Sequence, residues 1–165
     1  YNLPEAQLDR FLMHVRVDYP DPEDELAILE LDSSRLLEEP ATASGEFSQQ
    51  QLFKVREDVA RLYLDPKLNK YIVDLIQASR KPEAYEEGLK RWCRFGASPR
   101  ATIALARCAR ARAWLDGDAF VAPHHIHAVA PDVLRHRILL TFEAEAEGVT
   151  SDAYIRQLLE VVAIP

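Results

Sequence analysis

Gly96-Ala97-Ser98-Pro99-Arg100-Ala101, running on through Thr102 to Leu115, is the stretch whose reading decides the fold. Ser98 is a favoured helix N-cap, because its side-chain oxygen accepts from a backbone N–H of the first turn. Pro99 then falls at the first helical position, where its missing N–H costs nothing. Arg100 is thereby placed in the first turn, and Gly96 just upstream is expected to supply an unusual backbone geometry. Farther on, Ala101, Ile103, Ala104, Leu105, Cys108, Ala109, Trp114 and Leu115 lie nearly all round the helix, which is the pattern of a buried one. Arg100 is expected at the tip of this central helix, where the free N–H groups and the dipole favour an anion. The plainer alternative is a surface arginine near a helix start, and residue statistics alone favour it.

The segment GASPRA opening an Ala/Arg-rich helix resembles the sensor-2 segment of the MoxR-type AAA+ ATPases. LPEAQLDRF (Leu3 to Phe11) and APDVLRHRI (Ala130 to Ile138) resemble two further segments of that family, in the family's order. The three span nearly the whole chain. The resemblance implies a C-terminal part of such a protein with a mainly α fold: a helical bundle preceded by a remnant helix-strand-helix of a truncated α/β core. Residues 1–32 would end the core, 33–47 form a linker, and 48–165 form the all-α lid. It implies that Arg100 reaches from the lid to the phosphates of ATP in the same subunit. It implies that Arg10 of LDRF is an arginine finger, directed at the γ-phosphate held by the neighbouring subunit. ATP and Mg2+ are the implied cofactors of the intact protein. A homo-oligomeric ring, hexameric in the family, and a client protein complex are the implied partners, with ATP hydrolysis driving remodelling or maturation of the client. The lid of a magnesium-chelatase-like ATPase subunit is a close alternative. A non-enzymatic all-α interaction module is a rival from another class, and such a module has no need of both arginines.

The chemistry asked of Arg10 suits its side chain. A guanidinium stays charged and presents a planar fork, so it can neutralise charge spreading over a transferring phosphoryl. In GTPases such a finger is worth roughly 10³–10⁵ in rate. The competing reading is a surface pair of Arg10 with Asp9 or Glu5, worth at most about 1 kcal/mol.

Bulk properties bound these readings. A chain of 165 residues with 48% hydrophobic residues can build one compact core. With 27 Asp+Glu against 20 Lys+Arg the net charge is -7, which argues against a general nucleic-acid backbone binder. The two cysteines, Cys93 and Cys108, do not form a disulfide framework, so a reducing cytoplasm is the expected compartment. No apolar run approaches the roughly eighteen residues of a bilayer span. The chain opens on Tyr1, not Met, and is expected to be part of something longer.

In chain order, Leu3 to Phe11 reads as a short helix with Pro4 and Glu5 in its first turn. Met13, Val15, Val17 and Tyr19 alternate with His14, Arg16 and Asp18, which predicts a half-buried strand of a sheet whose other strands lie upstream. Asp21-Pro22-Glu23 opens a helix with Leu26, Ile28, Leu29 and Leu31. Periodicity fails from Asp32 to Phe47, and the domain boundary is placed there. Ser48 to Gln51 has capping-box spacing, Asp65-Pro66 opens a helix with Leu68, Tyr71, Ile72, Leu75 and Ile76, and Lys81 to Phe95 gives no clear element. Asp116-Gly117-Asp118 is a turn, and Pro123 starts a helix that Pro131 should end or kink. Glu143 to Gly148 reads as acidic and exposed, and Thr150 or Ser151 caps a last helix carrying Ile155, Leu158, Leu159 and Val162. Residues 48–165 thus predict about five helices.

His124, His125 and His127, with His136 beyond, could supply metal ligands, but no Cys, Asp or Glu joins them in the sequence cluster. A solvated helix start is preferred, and no metal site is assigned. Arg107 and Arg110 follow the Arg100 side of the helix and are expected to pair with carboxylates rather than to line a nucleotide cleft. None of the five glycines begins a GxxxxGK[ST] loop, and no apolar strand ends in Asp-Glu to hold magnesium. The 165-residue chain on its own should therefore show no ATP turnover above a contaminant-controlled blank, and robust turnover by the purified chain would overturn this reading.

Overall fold

The computed structural model describes residues 3–35 and 47–165. Most of the expected linker, 36–46, lies outside the described residues. The chain divides into two compact units, one holding the residues up to Val15 together with Arg56–Pro165, the other Arg16–Val55.

The larger unit is built on α4 (Pro66–Arg80), α6 (Pro99–Leu115), α7 (Pro123–Leu134) and α9 (Ser151–Val161). Each begins with the predicted local chemistry. Asp65 accepts from the Lys67 N–H at 2.8 Å, Ser98 from Arg100 N–H at 3.1 Å, and Thr150 from Ala153 N–H at 3.2 Å. Leu68, Tyr71, Ile72, Leu75 and Ile76 of α4 are all buried, as their spacing predicts. Tyr154, Ile155 and Leu158 of α9 and the following Val162 cover the same core.

The central helix α6 differs from its expectation in one respect. Ala101, Ala104, Leu105, Cys108, Ala109 and Ala113 are buried, but Ile103 is 54% and Leu115 73% exposed. The helix is therefore buried along one small-residue face, and alanines on that face let α7 approach closely, its most extensive packing partner. In α7 the helix runs through Pro131 to Leu134, so the proline neither ends it nor stops its turn. Ile126, Val129, Ala130, Val133 and Leu134 are buried, and that packing outweighs the one backbone hydrogen bond a proline cannot make.

Where the sequence gave no clear element, a 3₁₀ turn (Pro82–Ala84), α5 (Glu87–Lys90) and β1 (Cys93–Phe95) follow one another. β1 pairs antiparallel with β2 (Leu139–Leu140), Cys93 opposite Leu140 and Phe95 opposite Leu139. Thr141 extends the join, its N–H donating to Trp92 O at 3.0 Å and its hydroxyl to Arg91 O at 2.7 Å. The predicted acidic stretch forms α8 (Phe142–Ala146), which Thr141 caps. This small sheet brings the residues entering α6 beside those leaving α7.

Gly96 departs from its expected role. Only Gly117 and Gly148 have positive φ among the described residues. Gly96 is small for a different reason: a Cβ there would lie 2.2 Å from the Ser79 carbonyl oxygen and 2.7 Å from Arg80 N. The turn is pinned to the end of α4, with Ala97 N–H donating to Ser79 Oγ at 3.0 Å and Arg80 Nε–H donating to Ala97 O at 2.7 Å.

Residues 13–20 form no strand, contrary to the period-two pattern. Alternation supplies faces, but a strand also needs a hydrogen-bonding neighbour, and the sheet among the described residues is β1–β2 alone. His14 N–H donates instead to Asp132 O at 2.8 Å. The short N-terminal helix is α1 (Glu5–Leu8).

In the smaller unit, α2 (Pro22–Arg35) starts at Asp21, whose carboxylate accepts from Glu23 and Asp24 N–H at 3.1 and 2.9 Å. None of its residues is buried, and Leu26, Ile28, Leu29 and Leu31 stand exposed. α3 (Gln49–Arg61), whose residues from Arg56 on belong to the larger unit, begins with the predicted reciprocal cap, Gln51 N–H to Ser48 Oγ at 3.2 Å and Ser48 N–H to Gln51 Oε1 at 2.7 Å.

Gly96→Ala tests the close approach. Its Cβ meets backbone that cannot swing aside, so the substitution should cost about 1–3 kcal/mol of stability, read as a lowered Tm, whereas a harmless exchange would deny the tight turn.

Candidate functional site

Asp9 is the point on which the site is assembled. It follows α1, and its carboxylate is only 17% exposed. Oδ1 accepts from Arg137 Nε at 3.0 Å and from Ser98 Oγ at 3.0 Å. Oδ2 accepts from Ser98 Oγ at 2.8 Å and from Arg100 Nη1 at 3.3 Å. Ser98 thus works twice, its oxygen capping α6 while its proton goes to Asp9. Burial alone would raise the Asp9 carboxyl, but the hydrogen bonds from Ser98, Arg137 and Arg100 outweigh it and hold it below the usual carboxylate range.

Arg137 has a side chain 3% exposed and spends its whole fork on the N-terminal segment and α7. Besides Asp9, it donates to the carbonyls of Asp9, Phe11, Leu12 and Val133. Its neighbours repeat the motif. Arg135 donates to His14 O, Asp132 and Asp152, and His136 Nε2 lies 3.2 Å from Phe11 O. Burial holds His136 below the usual histidine range, and its Nδ1 has no hydrogen-bond partner among the described residues. Arg135, His136 and Arg137 together fasten residues 9–14.

Arg100 stands where it was expected, in the first turn of α6, with its side chain 55% exposed. Among the described residues its guanidinium makes one hydrogen bond, to Asp9. Arg10 is exposed, and neither Asp9, Glu5 nor any other described residue pairs with its side chain. Both arginines therefore flank Asp9, one next in sequence and one by contact. A cleft of about 220 Å³ adjoins Asp9, its lining including Glu5, Phe95, Gly96, Ser98, Arg137 and Leu139 but neither Arg10 nor Arg100.

The expectation that no carboxylate joins the histidines is corrected by the fold. Asp118 Oδ2 lies 2.9 Å from His125 Nε2 and 3.9 Å from His124 Nε2. His125 is also not solvated but fully buried. The Ala122 N–H donates to its Nδ1 at 2.9 Å, so Nδ1 accepts and the proton on Nε2 goes to Asp118. Nδ1 is thus used in capping α7 and Nε2 in the Asp118 hydrogen bond, although Asp118, His124 and His125 bring one ligand atom each within 4.8 Å of one another. His127 faces away and sits 2.7 Å from the Tyr71 hydroxyl, in surroundings that hold His127 below its usual range and push Tyr71 up to about 12. Arg110 donates to the Leu62 carbonyl at 3.1 Å, not to a carboxylate.

Sequence reasoning assigned roles to Arg10 and Arg100 but none to Asp9, Arg135 or Arg137. A signal was there: Arg135 and Arg137 interrupt an apolar run from Val133 to Ile138, where a charge must find partners to be buried. Arg137→Ala should lower unfolding stability by about 3 kcal/mol, because Asp9 keeps its charge in a half-closed site without its main partner. Denaturant titration reads the loss, and a change below about 0.5 kcal/mol would mean that the clamp holds nothing.

The AAA lid domain family matches residues 90–158. The chaperone MoxR1 of Mycobacterium tuberculosis is 39% identical over all of this chain and 43% of its own length. The protein MoxR of Paracoccus denitrificans is 36% identical over 86% of this chain and 44% of its own. A crystal structure of a candidate ATPase from Cytophaga hutchinsonii superposes with a TM-score of 0.91 at 36% identity, covering 100% of this chain and 50% of that one. The chain thus spans about half the length of the relatives it matches. With the lid-domain match, the whole-chain likeness and the helical bundle in agreement, the chain belongs to the MoxR-type AAA+ ATPases and carries their helical lid.

Proposed function

We propose that this chain is the nucleotide-responsive part of a protein that binds and hydrolyses ATP with Mg2+ and assembles as a ring, a hexamer in this reading. Its work is chaperone-like remodelling or maturation of a client protein complex in the cytoplasm. Residues 48–165 act as the lid and residues 1–32 as the end of the core, joined through 33–47. The observation that carries the reading is the placement of two exposed arginines at one carboxylate, Arg100 in contact with Asp9 and Arg10 next to it in the chain. Arg100 is held on a capped helix start with its side chain more than half exposed, and Arg10 is exposed with no side-chain partner among the described residues. The names of the relatives, a chaperone and MoxR proteins, agree with a client-directed role. Among the described residues no helix is long and apolar enough to cross a membrane.

Each arginine then has a distinct duty. Arg100 holds phosphate in its own subunit, and its placement is reproducible because Ser98, Pro99 and the pinned Ala97 fix the backbone beneath it. Arg10 supports charge developing at a neighbour's site, for which an exposed guanidinium is suited. ATP supplies the phosphoryl group when bound, and this chain's residues neutralise and orient it. The lid changes position only as far as its contacts differ between ATP and ADP.

The two alanine variants of the full-length protein separate these duties. Arg100→Ala should weaken nucleotide binding and turnover while keeping the helix folded, since alanine is the better helix former. Arg100→Lys should recover only part, because the charge remains without the fork. Arg10→Ala should leave binding near the parent's, abolish hydrolysis, and be rescued in mixed rings by subunits that retain Arg10. If both alanine variants bind and hydrolyse ATP like the parent, neither arginine serves the nucleotide.

A further inference from the structure

Asp9 holds two arginines in unequal ways. Arg137 takes Oδ1 and is committed, its side chain almost wholly buried and the rest of its fork spent on four carbonyls. Arg100 takes Oδ2 through a single nitrogen at 3.3 Å, from a side chain more than half exposed. Ser98 donates to the same carboxylate.

This asymmetry has a consequence for exchange. Removing the only cation from a buried carboxylate leaves an unpaired charge, and that penalty normally makes such pairs permanent. Here Arg137 and Ser98 stay behind when Arg100 leaves, so the Asp9 charge remains compensated. The exposed pair itself is of the weak kind. Arg100 can therefore be held in one place and still be released at little cost.

We infer that Asp9, anchored by Arg137, is the resting partner of Arg100: a positioning residue that parks the guanidinium beside the α6 start and competes with a phosphate group for it. The inference rests on reading Arg100 as the phosphate-binding arginine of the lid. Arg100 has two defined positions, on Asp9 or on phosphate, instead of sampling solvent. Asp9 therefore lowers nucleotide affinity and sharpens the difference between the empty and the occupied lid. Arg10, the next residue along, stays on its base in both, since Arg137 grips the carbonyls on either side of it.

The test uses the full-length protein and a non-hydrolysable ATP analogue, with affinities measured by calorimetry for the parent, Asp9→Asn, Arg100→Ala and the double variant. Asp9→Asn keeps an acceptor for Arg137 and Ser98 but removes the rival charge, so it should bind the analogue about two- to five-fold more tightly. The double variant should bind like Arg100→Ala alone, because the rivalry needs both partners. A merely structural Asp9 would give weaker or unchanged binding. If Arg100→Ala weakens binding while Asp9→Asn equals or falls below the parent, the parking role is overturned and the phosphate role of Arg100 stands. If Arg100→Ala leaves affinity unchanged, the phosphate role fails first. Should Asp9→Asn not fold, a crystal structure of the unaltered protein with the analogue decides the matter. Arg100 must then have left Asp9, and a retained contact within 3.5 Å overturns the inference.

Discussion

A buried guanidinium is the constraint on which this arrangement depends. Arg137 is charged at any accessible pH, so burying it requires acceptors in several directions at once. One carboxylate and four carbonyls meet that need, and three of those carbonyls belong to residues 9–12. The requirement runs both ways. The N-terminal segment is where it is because Arg137 cannot be left unsatisfied, and Arg137 can be buried because the segment is there.

That mutual dependence matters because the N-terminal segment has little else to hold it. α1 is four residues long with none buried, far below the length at which a helix is stable alone. Leu3, Phe11 and Leu12 are mostly exposed, and Met13 packs against the core only in part, so apolar burial holds the segment incompletely. Polar contacts from Arg135, His136 and Arg137 take over the task that a hydrophobic core performs for α4, α6, α7 and α9. Directional bonds set position more sharply than apolar packing does.

The histidines illustrate the same economy on another edge of the bundle. A helix beginning with Ala122-Pro123 has no hydroxyl or carboxylate to cap it. His125 turns back to accept from Ala122 N–H at Nδ1 and donates its Nε2–H to Asp118, closing the helix start with a ring instead. A group whose spacing suggested ligands is a structural cap, with the carboxylate supplied from the preceding turn.

Local chemistry was legible in the sequence wherever neighbours decide it. Ser98-Pro99, Asp65-Pro66, Ser48 with Gln51, and Thr150 set their helix starts through bonds that span three residues or fewer. The apolar spacing of α4 and α9 named their buried faces, and the three motif stretches named the family. What depended on distant partners was not legible. The Met13 to Tyr19 alternation could not reveal that no strand lies beside it, nor could Pro131 reveal that packing carries α7 past it. Gly96 is small because of Ser79 and Arg80, which lie far away in sequence. Above all, Asp9, Ser98, Arg100 and Arg137 meet only after the β1–β2 pairing brings the entry to α6 beside the exit from α7. The sequence singled out Arg10 and Arg100 as candidates, and the tertiary structure alone decided which carboxylate meets Arg100, because a side chain's partner is set by where the backbone returns and not by what precedes it.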